Sequence, residues 1–313
     1  MSYKVFIDGH EGTTGLRIVD RLSARKDIEI ININEENRKN IEARAEKINQ
    51  ADISFLCLPD AASIEIVSVI PKTAKILDTS TAHRTNPEWV YGLPELSPEQ
   101  KSNIQHSNRV AVPGCHATGF IVLTKPMVAS GLCAADYPFF CESITGYSGG
   151  GKKTIAAYHE EGRSEELSSP RQYGLTQQHK HLKEMKAMTG IEFNPIFTPV
   201  INDFYNGMLV TVPIHTRFLK TKASAADIHK LFKNYYKGSK LVKVADFGFE
   251  LELGFLTANT LADKDNLQLF IYGNEEQVLL TARYDNLGKG ASGAAIQCMN
   301  IMLGLPEEEG LVI

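Results

Sequence analysis

The sequence is short of the features that would place it outside ordinary folded enzymes. No apolar run approaches the roughly 20 residues that cross a bilayer. The opening "MSYKVFIDGH" has too short an apolar stretch for a signal peptide. The 5 cysteines are Cys57, Cys115, Cys133, Cys141 and Cys298, an odd and scattered set without a C-x-x-C pair. That pattern argues against a disulfide framework and a zinc ribbon, and for reduced thiols in a cytoplasmic protein. Neither sign of charge dominates: 33 basic against 37 acidic side chains leave a net charge of −4. Such a balance gives no reason to expect nucleic acid or an anionic membrane as partner. Internal repeats and low-complexity tracts are also missing. What remains is 313 residues, 43% hydrophobic and 22% charged, enough for two medium-sized domains with proper cores.

Strand-type and helix-type runs alternate through the first third. Apolar β-type runs occupy residues 4–9, 28–33, 53–59 and 74–80, and "LRIVDRLSA" places Leu16, Val19 and Leu22 at helical spacing. The runs are apolar throughout rather than alternating, which is the pattern of a parallel sheet covered on both faces. The expectation is an α/β protein whose residues 1–116 form a Rossmann-type, doubly wound domain. Residues 117–285 change character. Strand-like segments around 141–147, 195–216, 266–273 and 277–285, with helices at 151–162, 176–188 and 224–236, predict an α+β domain on a mixed sheet. Residues 286–313 read as a small-residue loop and a buried helix that returns to the first domain.

"GHEGTTG" spaces Gly9, Gly12 and Gly15 three apart, directly after a strand and at the head of a helix. Glycine serves where backbone approaches a pyrophosphate, and the helix start offers N–H groups and a favourable dipole. Thr13 and Thr14 add hydroxyl donors. A tight turn that binds nothing would read the same, but its place at the head of a β/α series favours a dinucleotide. The end of the second strand carries Glu35 and Glu36 but also Arg38 and Lys39. The basic pair suits a 2′-phosphate, and so NADP, as well as it suits a solvated helix start.

"VPGCHATGF" sets Cys115 after Pro-Gly, where a helix begins. Helix N–H groups lower a thiol's pKa there and can hold an oxyanion on an attacked carbonyl. A lone cysteine is more often a small buried hydrophobe; Cys57 and Cys298 fit that description, and Cys115 does not. His116 projects about 100° away from it around the helix and is an awkward base. His179 and His181, in "QQHKHLKEM", lie near another helix start, where a solvated basic face is the plainer reading. No carboxylate or thiol at suitable spacing completes a metal site around them.

The motifs "DGHEGTTG", "LDTSTAHR", "YGLPEL", "VPGCHATG", "GYSGGGKK", "QHKH" and "DNLGKGASGAAIQ" run from first strand to last helix. Together they resemble the short form of the N-acetyl-γ-glutamyl-phosphate reductases, within the aspartate-semialdehyde dehydrogenase group. The resemblance implies NADPH, arginine biosynthesis, and a Rossmann domain followed by a catalytic and dimerisation domain. It implies Cys115 as nucleophile and the His-x-His pair as source of the base, with His181 preferred and His179 touching substrate. His116 departs from the family, where a tyrosine is expected. The anionic substrate needs cationic and N–H-rich contacts. Ser80 and Arg84 at the fourth strand's end, the former also as a cofactor contact, and Ser148 with Lys152 are the candidates. Gly288, in a loop that flanks the nicotinamide in the family, is a further cofactor candidate. The implied assembly is a homodimer or homotetramer.

The runner-up is aspartate-semialdehyde dehydrogenase, or an aminoadipyl homologue, using the same thioester chemistry. One methylene is worth only about 1–3 kcal/mol of discrimination. A cysteine hydrolase or an idle NADP sensor would need no aldehyde product.

Overall fold

The apolar runs near the N-terminus become parallel strands because each is buried on both sides. In the computed structural model, which describes residues 2–313, the chain divides into two units. The first holds the residues up to Gly114 together with Ala291–Leu311. Its elements are β1 (Tyr3–Asp8), α1 (Thr13–Ser23), β2 (Ile28–Ile31), α2 (Ile41–Gln50), β3 (Ile53–Leu56), α3 (Asp60–Val69), β4 (Ile76–Asp78), β5 (Val90–Tyr91), α4 (Gln100–His106) and β6 (Arg109–Ala111). A later helix, α9 (Gly293–Met302), completes it. All pairings in the sheet are parallel, in the order β2-β1-β3-β4-β6-β5. Successive residues of β1 point to opposite faces. Val5 and Ile7 therefore join Ile18 and Leu22 of α1 and Ala295 and Met299 of α9, while Phe6 joins Ile48, Leu56 and Ile66 on the other side.

The chain leaves β1 for β2 on one side and reaches β3 on the other, so the strand order reverses where the glycine turn lies. Ligands of such sheets sit outside the carboxyl ends of the strands at this reversal. The fourth strand is shorter than its apolar run suggests. The Asp78 carboxylate accepts from the Ser80 N–H at 2.9 Å, the Ser80 hydroxyl at 2.7 Å and His83 Nδ1 at 2.6 Å, which curls the chain out of the sheet.

The second unit, Cys115–Gly290 with Val312–Ile313, begins with α5 (Cys115–Ala129). Then come β7 (Phe140–Gly146), α6 (Gly151–His159), β8 (Arg171–Gln172), α7 (Leu182–Thr189), β9 (Ile196–Asn202), β10 (Met208–His215), α8 (Ala225–Tyr235), β11 (Val242–Val244), β12 (Leu267–Gly273) and β13 (Gln277–Tyr284). The sheet is mixed, ordered β11-β12-β13-β10-β7-β9-β8. Its parallel pairs are β7 with β9 and β11 with β12. Met208, Val210, Val212 and Ile214 of β10 alternate inward, and α5 packs on that strand and on β13 with most of its surface buried.

The helix expected at 176–188 starts only at Leu182. Gln177 sits in the left-handed region (φ 57°), and its amide exchanges hydrogen bonds of 2.8 and 2.9 Å with the backbone of Phe197. That amide docks the preceding turn onto β9 instead of letting it coil. α8 starts at its capping box, with the Ser224 and Asp227 side chains each bonded to the other's backbone. Among the described residues no helix is long and apolar enough to cross a membrane.

Candidate active site

The three glycines of the turn have different reasons to lack a side chain. Gly9 has φ 82°, and a Cβ there would stand 2.4 Å from the Cys57 carbonyl oxygen. At Gly15 it would stand 2.6 Å from the Gly9 carbonyl oxygen. These two serve the turn itself. At Gly12 the nearest atom is 3.5 Å away, an ordinary contact, so nothing within the turn demands glycine there. Gly12 is also the N-cap of α1, whose start has no side-chain cap and no acidic residue in its first turn. An open Cβ position against uncapped N–H groups fits a dinucleotide pyrophosphate, with Thr13 and Thr14 as the first helical residues.

Arg38 reaches back to the same turn, pairing with Glu11 and, at 3.0 Å, with Glu35. Ser80 is buried on Asp78. Arg84 is buried too, and its guanidinium donates to the Val112 and Thr79 carbonyls at 2.8 and 2.9 Å. These bonds tie the "STAHR" loop to the chain just before Gly114.

In the second unit, Cys115 is the first residue of α5 and is partly exposed. None of the five cysteines is in a disulfide. His116 points into a buried cluster that sequence spacing hides. Its Nδ1 is 2.7 Å from the Ser143 hydroxyl and its Nε2 is 2.6 Å from the Tyr173 hydroxyl. Its ring meets those of His179, His181 and Phe197 at 5.6, 5.5 and 5.3 Å between centroids. Burial, with the charges of His179 and Lys180 adding, pushes His116 down to about 3, so its imidazole is neutral at working pH. The Tyr173 phenol is pushed up, first by burial and then by the Cys115 thiolate, and stays a proton donor beside the thiol. A neutral imidazole has one donor and one acceptor nitrogen, so of Tyr173 and Ser143 one donates to the His116 ring and the other accepts from it.

The two predicted histidines lie together, with centroids 4.7 Å apart, and both touch the His116 ring. His179 Nδ1 accepts the His181 backbone N–H at 3.2 Å. In its neutral form this puts the His179 proton on Nε2, where it is a donor. His181, buried, stands at the N-cap of α7.

Ser148 is buried and accepts from Asn286 Nδ2 at 2.9 Å, while Asn286 Oδ1 accepts from the Gly207 N–H. Beyond it, Gly149 and Gly150 end a 3₁₀ turn that leads into α6 at Gly151; α6 has no side-chain cap and no acidic residue in its first turn, and Lys152 is exposed there. Glycine N–H groups beside a lysine suit an anion, although the Gly151 N–H is taken by the Ser148 carbonyl. Gly288 packs against the segment before β12: a Cβ would lie 2.1 Å from the Lys264 carbonyl oxygen. Gly290 is the glycine against the thiol, with a Cβ position 3.0 Å from Cys115 Cβ. Ser143, Tyr173, Tyr284 and Gly290 gave no signal in sequence beyond, for Gly290, membership of a glycine-rich loop.

Two family models match, the semialdehyde dehydrogenase NAD binding domain over residues 4–104 and the semialdehyde dehydrogenase dimerisation domain over 115–286. N-acetyl-gamma-glutamyl-phosphate reductase 2 of Nostoc sp. is 44% identical over 318 residues, covering 98% of this chain and 99% of the relative. The chain belongs to the N-acetyl-gamma-glutamyl-phosphate reductase family. Another reductase of that name, from Brucella anthropi, is 44% identical over 309 residues, covering 97% of this chain and 99% of its own. Solved structures share the fold of this reductase family member at lower identity. Aspartate semialdehyde dehydrogenase II of Vibrio cholerae matches with a TM-score of 0.69 at 14% identity, over 97% of this chain and 99% of that one. The Candida albicans enzyme, solved with NADP, gives 0.66 at 14% identity over the same shares.

Proposed function

We infer that this protein reduces N-acetyl-L-glutamyl 5-phosphate to N-acetyl-L-glutamate 5-semialdehyde with NADPH, releasing phosphate, as a step of arginine biosynthesis. The observation that carries this is the thiol at the head of α5 beside a buried His116–His179–His181–Tyr173 cluster. The chain is 44% identical along nearly its whole length to reductases of that name.

Cys115 thiolate attacks the γ-carbonyl carbon. The acyl C–O bond to phosphate breaks, phosphate departs with the electron pair, and a thioester remains on sulfur. His181 takes the thiol proton at the start and returns it to the sulfur once the aldehyde has formed. His179, with its proton on Nε2, donates to a substrate oxygen. The N–H groups in the first turn of α5 hold the oxyanion at each tetrahedral stage. The turn shaped by Gly9 and Gly15 would present Gly12, Thr13 and Thr14 to the pyrophosphate of NADPH, with Arg38 at its 2′-phosphate, and the bound cofactor would supply the hydride. Cys115 then leaves as thiolate while the aldehyde forms. Ser148, Lys152 and Arg84 serve the substrate's anionic groups, and Ser80 and Gly288 border the cofactor. His116, neutral and bonded at both nitrogens, supports the pair of histidines without exchanging protons with substrate.

The protein acts in the cytoplasm as a homodimer or homotetramer built through its second unit. The outer face of that unit's sheet supports this, since Ile196 and Leu279 stand exposed there beside the half-buried Ile144, Val200 and Leu209.

The test runs the reaction backwards, with N-acetylglutamate semialdehyde, phosphate and NADP, and aspartate semialdehyde in parallel. Phosphate-dependent formation of NADPH from the acetylated aldehyde is expected. Activity with aspartate semialdehyde alone would overturn the substrate assignment.

A further inference from the structure

Tyr284, the last residue of β13, is fully buried, and its hydroxyl holds two backbone groups of α5. It donates to the Cys115 carbonyl oxygen at 2.6 Å and accepts from the Gly119 N–H at 3.0 Å. Residues i and i+4 are the pair that a helix joins through carbonyl and N–H. A phenol therefore spans the turn that carries the thiol. Gly119 makes the room, because a Cβ there would stand 2.6 Å from the Tyr284 hydroxyl and 2.5 Å from Val210 Cγ2. Burial, and after it the Cys115 thiolate, holds the phenol well above its ordinary range, so the O–H remains a donor. The same strand end runs on to Gly290, which abuts Cys115 Cβ. β13 and its loop thus grip Cys115 at the carbonyl and at the Cβ.

We propose that Tyr284 is a positioning residue for the Cys115 nucleophile, its hydroxyl fixing the first turn of α5 and with it the place of Sγ. The proposal rests on the reading of Cys115 as nucleophile. Tyr284 acts through the backbone, and turning the Cys115 peptide would swing its Cα–Cβ bond. Small misplacements of a reacting atom are costly in rate.

Tyr284→Phe removes one oxygen and keeps the ring. Tyr236→Phe is the matched control, because the Tyr236 hydroxyl is also buried and donates to the Val122 carbonyl of the same helix at 2.7 Å, two turns on. Tyr284→Phe loses two buried hydrogen bonds to α5 and Tyr236→Phe one, so the melting temperature should fall in both and further in Tyr284→Phe. Two readouts separate them: kcat and KM in the reverse reaction, and the pH dependence of iodoacetamide labelling at the Cys115 peptide. Tyr284→Phe is expected to lower kcat about tenfold with KM within about twofold, since a nucleophile out of place slows chemistry more than binding. Its labelling midpoint should move up, because the O–H dipole whose positive end faces the Cys115 peptide is gone. Tyr236→Phe should keep the parent kcat and midpoint. A Tyr284→Phe enzyme that matches Tyr236→Phe in both readouts overturns the proposal. Retained NADP reduction in Cys115→Ser would instead overturn the nucleophile reading beneath it.

Discussion

Alanine placed in turn at Gly9, Gly12 and Gly15 should separate folding from cofactor binding. At Gly9 the left-handed φ of 82° and a Cβ 2.4 Å from the Cys57 carbonyl oxygen act together. Backbone strain of about 1–3 kcal/mol and overpacking of similar size predict a loss of about 3 kcal/mol or more. Gly15→Ala meets the Gly9 carbonyl oxygen at 2.6 Å and the His10 Cα at 2.9 Å, with overpacking alone to bear. Gly12→Ala meets nothing closer than 3.5 Å. Its N-cap preference costs at most about 1 kcal/mol, offset by a similar gain from a less flexible unfolded chain. The methyl group would nonetheless stand where a pyrophosphate must approach. NADPH affinity should fall about 10–100-fold, or roughly 1.4–2.8 kcal/mol, with the melting temperature nearly unchanged. Thermal melts and NADPH fluorescence titrations read the two quantities separately. Parental NADPH affinity in a folded Gly12→Ala protein would refute the assignment of this turn.

Three further changes test other parts of the site. Arg38→Gln should raise the Kd for NADPH about tenfold and leave that for NADH alone, as a lost 2′-phosphate contact would; equal effects on both would place Arg38 elsewhere. Gly290→Ala presses a methyl group onto Cys115 Cβ, 3.0 Å away, and should lower kcat about tenfold in a folded enzyme. A fall in stability without a fall in kcat would count against that contact. His116→Gln addresses pH. The unfolded chain takes a proton at His116 near 6.5 that the folded state refuses until about 3, so stability falls as pH drops through that window. Between pH 7 and 5 the parent should lose about 2 kcal/mol through this group that the glutamine variant keeps. Urea melts at pH 7 and pH 5 measure the difference, and equal slopes would show that His116 is not buried neutral.

The first unit was legible because its signals are local. Val5, Phe6 and Ile7 are all buried, so β1 reads as a continuous apolar run, and the glycine turn follows within a few residues. Helix and strand ends were less legible where a side chain redirects the chain, as Asp78 does after β4 and Gln177 before α7. At the thiol, the residue type and its place after Pro-Gly were visible, and so was the His-x-His pair. The cluster that joins them was not. Ser143 and Tyr173 come to His116 across 27 and 57 residues, and Tyr284 comes to Cys115 across 169. Such partners are set by strand register, which a single sequence does not print. His116 looked awkward because it turns away from Cys115, and that same turn carries it into the buried network.

The role of Cys115 is tested most directly by mixing the protein with N-acetylglutamate semialdehyde and NADP without phosphate, then weighing the Cys115 peptide. The expected result is one equivalent of NADPH per subunit and an N-acetylglutamyl group on Cys115, discharged when phosphate is added. Turnover with phosphate but no adduct without it, or an adduct on another residue, would contradict a thioester at Cys115.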